Sequence, residues 1–335
     1  MLANPTRKRK ESRILKVRKR KNGSSLFSII NKTLLIIPSI LIAFSLFNFR
    51  SSKACEISTY WGHKTSEGGL QELCETGAVK YVNLAFLIQF GCSQTPVLNF
   101  TGHCDPSSGT CRSLSTEIRA CQSWGIKVQL SLGGIGNRTH CSPDDVSEVA
   151  EYLWHTYLAP GSTGPLGDAP LDGIEFGAVS PSLYWDDLVR ALASLNSSHK
   201  KVYLSAAATC SYPDPVLGKA IDTGLFDYIW QKSYQNPQCD CDTGVSCVLA
   251  SWFKWSSSLP AGKPLFFSLA PRQSCFLSQI FTAITYSPNY AGFVLPGGVY
   301  NLRDIKIIYQ ELCSHESLHS EGSLASVHGL NNMVA

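Results

Sequence analysis

The chain has 335 residues, of which 44% are hydrophobic and 16% are charged, a composition that suits one large globular domain or two small ones. Its formal net charge of +4 is unevenly distributed, because the first 53 residues hold 13 of the 29 Lys and Arg side chains and a single acid, Glu11. The remaining residues carry 16 basic and 24 acidic side chains, a formal charge of −8. This acidic body argues against nucleic acid as a partner, since phosphate neutralisation needs a basic face.

The N-terminal segment, residues 1–54, has the pattern of a secretory signal peptide. A dense basic run over residues 7–21 precedes an almost purely apolar stretch over residues 34–47. A basic region followed by an apolar region of about 7–15 residues is typical of such a signal. The SKA triplet at 52–54 places small residues before a cut that would leave Cys55 first.

The alternative for this leader is an uncleaved type II membrane anchor. Its basic cytosolic side would fit that orientation, but a span needs about 20 apolar residues, and the leader reaches that length only by including Asn31 and Lys32. Cleavage is therefore favoured, and a membrane is a partner only if the leader stays attached. We expect a secreted protein of the extracellular space or cell wall, with the vacuole as an alternative location.

Cysteines and glycosylation sequons in the body agree with export. The chain has 13 cysteines, a number that is high for a cytosolic protein and ordinary for a secreted one. Three Asn-X-Ser/Thr sequons begin at Asn99, Asn137 and Asn196. Each is a candidate site of glycosylation at the surface.

The body, residues 55–313, contains no low-complexity linker and is expected to form one domain. Eight apolar, β-rich runs alternate with stretches of helix-like spacing, such as residues 145–157 and 183–195. This alternation indicates a parallel sheet, and eight strands favour a closed barrel, although periodicity alone leaves an open doubly wound sheet as an alternative. The predicted strands are Ile57–Trp61, Tyr81–Leu87, Lys127–Leu132, Gly173–Phe176, Lys201–Ala207, Tyr228–Gln231, Leu265–Leu269 and Gly292–Leu295.

The C-terminal tail, residues 314–335, is polar and poor in large apolar side chains, so we expect it to be disordered. His315 and His319 lie four residues apart in it, but no carboxylate or cysteine scaffold gives them metal-binding geometry. We therefore expect no metal and no cofactor.

One segment carries a specific resemblance. Residues 171–188, LDGIEFGAVSPSLYWDDL, resemble the D-G-I-D-F-D-I-E strand and the L-Y-W-D-D-L helix start of plant class III chitinases, in glycoside hydrolase family 18. The resemblance covers about residues 56–300 and implies a single-domain, disulfide-bonded α/β fold, the (β/α)8 TIM barrel. It includes YWG at 60–62, YVNLAFL at 81–87, GHCDP at 102–106, IKVQLSLGG at 126–134, KVYLSAA at 201–207 and GLFDYIW at 224–230.

The family's strand motif, D-x-x-D-x-D-x-E, places its last Asp and its Glu on one face of the strand, because alternate strand residues point to the same side. In that family the Glu protonates the glycosidic oxygen, and the Asp supports the substrate's acetamide, which is the nucleophile. Here Asp172 matches the first Asp, Glu175 the second, Gly177 the third and Val179 the Glu. Gly177 has no side chain and Val179 cannot donate a proton, so the resemblance predicts a site without its catalytic carboxylates.

Two further positions depart from the family at other strand ends. Its sixth strand ends Gln-x-Tyr, where this chain has Lys232 and Tyr234. Its eighth strand carries a Trp that floors the sugar site, where this chain has Pro296, which offers far less flat surface to a pyranose. The residues left for a ligand cleft are Tyr60, Tyr234 and Lys232.

The resemblance also implies three disulfides, which pair Cys74 with Cys121, Cys104 with Cys111, and Cys210 with Cys239. Seven cysteines remain, and because seven is odd, at least one of them is free or forms an intermolecular bond. Their pairing is left open: Cys55, Cys92, Cys141, Cys241, Cys247, Cys275 and Cys313.

The function expected from these observations is that of a catalytically inactive chitinase-like protein, not an enzyme. Related chitinase-like proteins of plants include xylanase inhibitors and lectin-like members, so a microbial xylanase or another secreted hydrolase is the favoured partner, in plant defence. One alternative is a chitooligosaccharide-binding lectin or a storage protein. A second is a weakly active chitinase in which Glu175 serves as the acid. The sequence identifies neither the target nor the oligomeric state.

Overall fold

The structure is a computed structural model. It describes residues 55–100, 102–133, 142–177, 184–196, 200–233, 236, 239, 244–269 and 277–313. The predictions made for the leader, for the C-terminal tail and for Asn137, Val179 and Tyr234 lie outside these residues.

Eight parallel strands form a closed barrel. All eight predicted strands are confirmed within a few residues of their ends. The strands are β1 Glu56–Trp61, β2 Tyr81–Gln89, β4 Lys127–Leu132, β5 Gly173–Phe176, β6 Tyr203–Thr209, β7 Tyr228–Lys232, β8 Leu265–Ser268 and β9 Tyr290–Leu295. Their order around the barrel is β1, β9, β8, β7, β6, β5, β4 and β2, and pairing of β1 with β2 closes the ring. The remaining strand, β3 Val97–Leu98, pairs antiparallel with the end of β2 outside the ring.

Helices follow the strands and cover the outside of the barrel. They are α1 Leu70–Glu75, α2 Leu114–Ser123, α3 Pro143–Leu153, α4 Trp185–Ser194, α5 Gly218–Asp222, α6 Val245–Ser258, α7 Leu277–Thr285 and α8 Leu302–Cys313. This strand–helix alternation confirms the TIM barrel.

The helix predicted over residues 145–157 begins earlier and changes type before its end. Ser142 caps its start, since the side-chain oxygen accepts a hydrogen bond from the backbone N–H of Asp145 at 3.2 Å, and Pro143 occupies the first turn. The α-helix ends at Leu153, and a π-helical turn follows over Trp154–Leu158. The wider turn keeps Leu153, Tyr157 and Leu158 all buried.

Alternate residues along each strand point into the barrel or toward the helices. On β5, Phe176 faces outward and packs edge-on against Trp185 of α4, with 5.7 Å between ring centroids. On β7, Trp230 faces inward, where it meets Phe266 of β8 at 4.5 Å. Trp61, Trp185 and Trp230 are each at most 2% exposed, so all three pack in the core.

Four disulfides join described residues. The three pairs implied by the resemblance are present: Cys74–Cys121, Cys104–Cys111 and Cys210–Cys239. The fourth pair, which the sequence analysis left open, joins Cys55 at the start of β1 to Cys313 at the end of α8, across a sequence separation of 258. This bond links the first strand of the barrel to its last helix. Cys92 is disulfide-bonded as well.

Among the residues that the structure describes, no helix is both long and apolar enough to cross a membrane.

Candidate functional site

The mouth of the barrel is the end at which the parallel strands finish, and in TIM barrels this end carries the functional site. Four polar side chains meet there, each from a different strand: Tyr60 of β1, Ser131 of β4, Glu175 of β5 and Lys232 of β7. Below them the barrel is filled by an aromatic layer. That layer contains Tyr81, Tyr228, Trp230 and Phe266.

Glu175 is the centre of this group and is fully buried. The hydroxyl of Tyr60 donates a hydrogen bond to its Oε1 at 3.0 Å, and the hydroxyl of Ser131 donates to its Oε2. Burial raises the pKa of the Glu175 carboxyl to about 7, against the opposing effects of these two hydrogen bonds and of the Lys232 charge. Glu175 therefore carries a proton for part of the time near neutral pH.

Gly177 lies two residues further along the chain and faces the same side as Glu175. A Cβ atom added at Gly177 would stand 2.5 Å from Ser131 Oγ and 2.7 Å from Glu175 Oε2. Such atoms do not approach closer than 3.0 Å in real structures. The carboxyl group of Glu175, carried one methylene further than that of an Asp, therefore occupies the space into which a side chain at position 177 would extend.

This close approach couples positions 175 and 177, the second and third positions of the predicted motif. In the structure the longer acid fills the place that the glycine leaves open, and Ser131 of the neighbouring strand holds it there. Ser131 was not singled out from the sequence, because its role depends on the pairing of β4 with β5.

Lys232 ends β7 and is half-buried. Burial lowers the pKa of its ammonium group, while the nearby carboxyl groups of Glu175 and Asp214 act in the opposite direction. Asp214 is itself held by hydrogen bonds from the backbone N–H and the hydroxyl of Thr209, at 2.6 and 2.9 Å. Lys232 thus places a basic group beside the buried acid at the mouth.

Asp172, the first acid of the motif, lies at the opposite end of β5 and takes no part in the mouth. Its carboxylate accepts hydrogen bonds from Lys127 Nζ at 3.2 Å, Gln122 Nε2 at 2.9 Å and the backbone N–H of Val128 at 3.0 Å. These bonds join the starts of β4 and β5 to α2. Asp172 is therefore a structural residue of the barrel base.

The rim above Tyr60 contains two aromatic side chains that the sequence analysis did not single out. The ring of Phe86, at the end of β2, lies 6.1 Å from that of Tyr60 and 6.0 Å from that of the exposed His63. Pro296, which follows β9, is half-buried, and β9 pairs with β1 on the edge opposite β2. The YWG tripeptide at 60–62 and the YVNLAFL run at 81–87 contain Tyr60 and Phe86. The sequence could not show that these residues are neighbours, because they meet only through the pairing of β1 with β2.

Two of the predicted glycosylation sites fall within the described residues. The side chains of Asn99 and Asn196 are both exposed. Asn196 Oδ1 accepts a hydrogen bond from the backbone N–H of Val202 at 2.6 Å. Within the described ranges no cluster of three or more His, Cys, Asp or Glu side chains has metal-binding geometry.

No protein-family profile matches the chain. Among known proteins, the acidic endochitinase SE2 of Beta vulgaris is 44% identical over 279 residues, which cover 79% of this chain and 95% of that protein. The crystal structure of the chitinase ICChI from Ipomoea carnea superposes with a TM-score of 0.67 at 36% identity, covering 82% of this chain and 99% of that one. A xylanase and α-amylase inhibitor protein from Scadoxus multiflorus superposes with a TM-score of 0.66 at 28% identity, covering 82% and 98%.

A parallel eight-stranded barrel with polar side chains gathered at its mouth defines a TIM barrel with a candidate site at the carboxyl ends of its strands. The identity with the beet protein over most of both chains is more specific than this fold. The chain belongs to the family that contains the plant acidic endochitinases, the class III chitinase-like branch of glycoside hydrolase family 18.

Proposed function

We propose that this chain is a non-catalytic member of its family that binds and inhibits a secreted glycan hydrolase, such as a microbial xylanase. The observation that supports the loss of catalysis is the placement of the Glu175 carboxyl group, which fills the space beside Gly177. A general acid must reach the glycosidic oxygen of a bound substrate, yet Glu175 is fully buried and both of its oxygens accept hydrogen bonds from the protein. Gly177 provides no second carboxylate.

Position 179, where the family motif has its acid, is Val in the sequence. A valine cannot transfer a proton, and general acid–base catalysis contributes about 10²–10⁴-fold to a rate. With the support of the third motif Asp also missing, electrostatic stabilisation of the reacting acetamide is lost in addition. We therefore expect the rate of chitin turnover to be at least about 10²-fold below that of an active relative.

Binding to another protein is supported by how the loops at the mouth are held. The Cys210–Cys239 disulfide joins the loop after β6 to the loop after β7, and Cys104–Cys111 closes the connection that follows β2 and β3. Loops that are fixed before binding lose little conformational entropy when a partner docks. One structural neighbour at 28% identity is named as an inhibitor of xylanase and α-amylase, which supports the same class of partner.

The first test is turnover of a fluorogenic chitooligosaccharide by the purified chain, with a Glu175→Gln variant beside it. We expect no turnover from either protein. Turnover that disappears in the Glu175→Gln variant would show that Glu175 acts as a relocated acid, and the chain would then be a weak chitinase.

The second test is inhibition of fungal xylanases and of α-amylase by the same protein. A variant with Cys210→Ser and Cys239→Ser frees the loops at the mouth, and we expect it to inhibit less strongly. A matched variant with Cys74→Ser and Cys121→Ser removes a disulfide between α1 and α2, away from the mouth, and should inhibit as the parent does. Tight binding of chitooligosaccharide without any enzyme inhibition would favour a lectin instead.

We also propose that the protein acts in an oxidising compartment after export. Its four disulfides between described residues support this, because such bonds persist outside the cytosol. Mass spectrometry of the protein recovered from plant tissue tests it: the mature chain should begin at Cys55, and recovery of a chain that still carries residues 1–54 would contradict cleavage.

A further inference from the structure

A pocket lies on the outside of the barrel, between α5 and α6. Helix α5 has only five residues, little more than one turn, so it covers less of the neighbouring strand than a longer helix would. It packs against α4, while α6 packs against α7. The space between these two pairs of helices has a volume of about 210 Å³ and is lined by side chains from residues 212–229 and 258–263. We call it the flank pocket.

The walls of the flank pocket are mostly apolar. Ile221 of α5 lines it together with Leu259, which follows α6, and with Ile229, which points outward from β7. The buried Phe226 presents part of its surface to the same space. A Cβ atom added at Gly224 would have no neighbour within 4 Å, so the space beside this loop is open. An apolar ring that enters the pocket would therefore remove apolar surface from water on the ring and on the protein alike.

Two charged side chains also line the flank pocket, and their states differ. The ammonium group of Lys263 donates hydrogen bonds to the backbone oxygens of Gly224, at 3.1 Å, and of Phe226. The carboxylate of Asp222, the last residue of α5, forms no hydrogen bond or ion pair with any described residue. The pocket therefore offers a ligand a free hydrogen-bond acceptor, while its cation is already bound by the protein.

Size, charge and hydrogen-bonding capacity together limit the ligand. Pockets for drug-sized molecules measure about 300–1,000 Å³, so the flank pocket admits a single ring and not an oligosaccharide. Its carboxylate and its ammonium group cancel in charge, which favours a neutral ligand. The hydroxyl groups of Tyr212 and Ser258 are the only other polar side-chain groups of the described lining without a described partner. A sugar ring carries several hydroxyl groups that each need a partner on leaving water, whereas a phenol needs one acceptor.

We propose that the flank pocket binds a small neutral phenol. The ring lies against Ile221, Ile229 and Leu259, and the phenolic O–H donates a hydrogen bond to the Asp222 carboxylate. A hydrogen bond to an ionised acceptor is about twice as strong as one between neutral groups. Binding here is independent of hydrolase inhibition, because none of the lining residues belongs to the polar group at the mouth.

The test measures binding of 4-methylphenol to the full chain by saturation-transfer NMR. Two further probes run beside it: 4-methylanisole, which has the same ring but no O–H to donate, and methyl glucoside, a single sugar ring. We expect 4-methylphenol to bind with a Kd of about 0.1–1 mM, the range for a ligand of so few atoms. The other two probes should bind at least about tenfold more weakly, because one loses the charge-assisted hydrogen bond and the other leaves hydroxyl groups unpaired.

A pair of neighbouring variants locates the site. Ser258→Phe places a ring inside the flank pocket, whereas Ser257→Phe places the same ring at an exposed position of α6 that does not line it. We expect Ser258→Phe to weaken 4-methylphenol binding at least about tenfold and Ser257→Phe to leave it unchanged. Circular dichroism checks that both variants fold.

Asp222→Ala provides a second test that leaves the volume of the pocket open. It should weaken binding of 4-methylphenol about tenfold, the loss expected for a hydrogen bond to a charged group, and should leave binding of 4-methylanisole unchanged.

Three results would overturn the proposal. One is that the parent chain does not bind 4-methylphenol, or that Ser258→Phe binds it as tightly as the parent does. Another is that methyl glucoside binds more tightly than 4-methylphenol and is lost in Ser258→Phe, which would make the pocket a sugar site. The third is that the parent forms a dimer in size-exclusion chromatography that Ser258→Phe abolishes, which would show that a side chain of a second copy occupies the pocket.

Discussion

The Glu175 carboxyl group fills the space beside Gly177, so the two positions should be energetically coupled. A double-mutant cycle can measure this coupling. Restoring the family's Asp with Gly177→Asp puts a Cβ atom 2.5 Å from Ser131 Oγ and 2.7 Å from Glu175 Oε2. Inserting atoms into a packed core costs about 1–3 kcal/mol. The new carboxyl group would also stand beside a buried acid, and two such groups resist ionising together. We expect Gly177→Asp to lower the free energy of unfolding by at least this amount.

Shortening Glu175 should relieve that cost. In the Glu175→Asp variant the carboxyl group is drawn back by one methylene, so the space beside position 177 reopens. We expect Glu175→Asp alone to be mildly destabilising, because the hydrogen bonds from Tyr60 and Ser131 lengthen. Combined with Gly177→Asp, it should be more stable than the sum of the single changes predicts, by about 0.5–3 kcal/mol.

Urea unfolding of the four proteins at one pH, with all disulfides intact, provides the cycle. Gly177→Ala is the matched control, since it adds the clashing Cβ without a charge and should account for the steric part of the cost. A coupling energy within about 0.5 kcal/mol of zero, the range found for independent sites, would refute the argument that Glu175 fills the space of the missing side chain. A Gly177→Ala variant that is as stable as the parent chain would refute the argument equally.

Three further predictions concern pH, covalent closure and catalysis. Burial raises the pKa of the Glu175 carboxyl from 4.5 to about 7, so the folded chain binds a proton that the unfolded chain has released, and stability should fall as pH rises through this window. Across this pH window the free energy of unfolding of the parent chain should fall by roughly 3 kcal/mol more than that of the Glu175→Gln variant. Equal urea midpoints for the parent and the variant at both ends of the window would contradict this expectation. Removing the terminal disulfide with Cys55→Ser and Cys313→Ser should cost about 2–5 kcal/mol in thermal or urea unfolding, and an unchanged midpoint would show that the bond contributes nothing. The combined change Glu175→Asp, Gly177→Asp and Val179→Glu should produce measurable chitooligosaccharide hydrolysis, whereas Val179→Glu alone should not, and equal turnover from the two would show that the inner carboxyl pair is dispensable.

The relation between Glu175 and Gly177 also bears on how the motif changed. A chain that gained Gly177 first would have left an unfilled space beside Ser131, and one that gained Glu175 first would have crowded the Asp at position 177. The observed pair avoids both costs. Glu175 and Gly177 therefore fit together at the mouth of the barrel.

The amino-acid sequence by itself predicted the eight strands, and the resemblance to class III chitinases, not the periodicity, favoured a closed barrel over an open sheet. Each of the eight strands has a run of apolar, β-forming residues, and local spacing determines whether a segment is extended and which side it buries. The resemblance to class III chitinases supplied the pairs Cys74–Cys121, Cys104–Cys111 and Cys210–Cys239, which the structure contains. It also predicted the positions at which the family motif is altered, and that assignment stays a prediction.

Only the tertiary structure shows which residues surround those positions. Periodicity places Glu175 and Gly177 on one face of β5, but it contains no information on the distance from Glu175 to Ser131 of β4 or to Tyr60 of β1, which are 44 and 115 residues away in sequence. The Cys55–Cys313 disulfide could not be predicted from local sequence either. Its two cysteines are 258 residues apart and come together only when the ring of strands closes. Local sequence fixes conformation residue by residue, whereas the contacts that fill the mouth of the barrel depend on closure of the whole sheet.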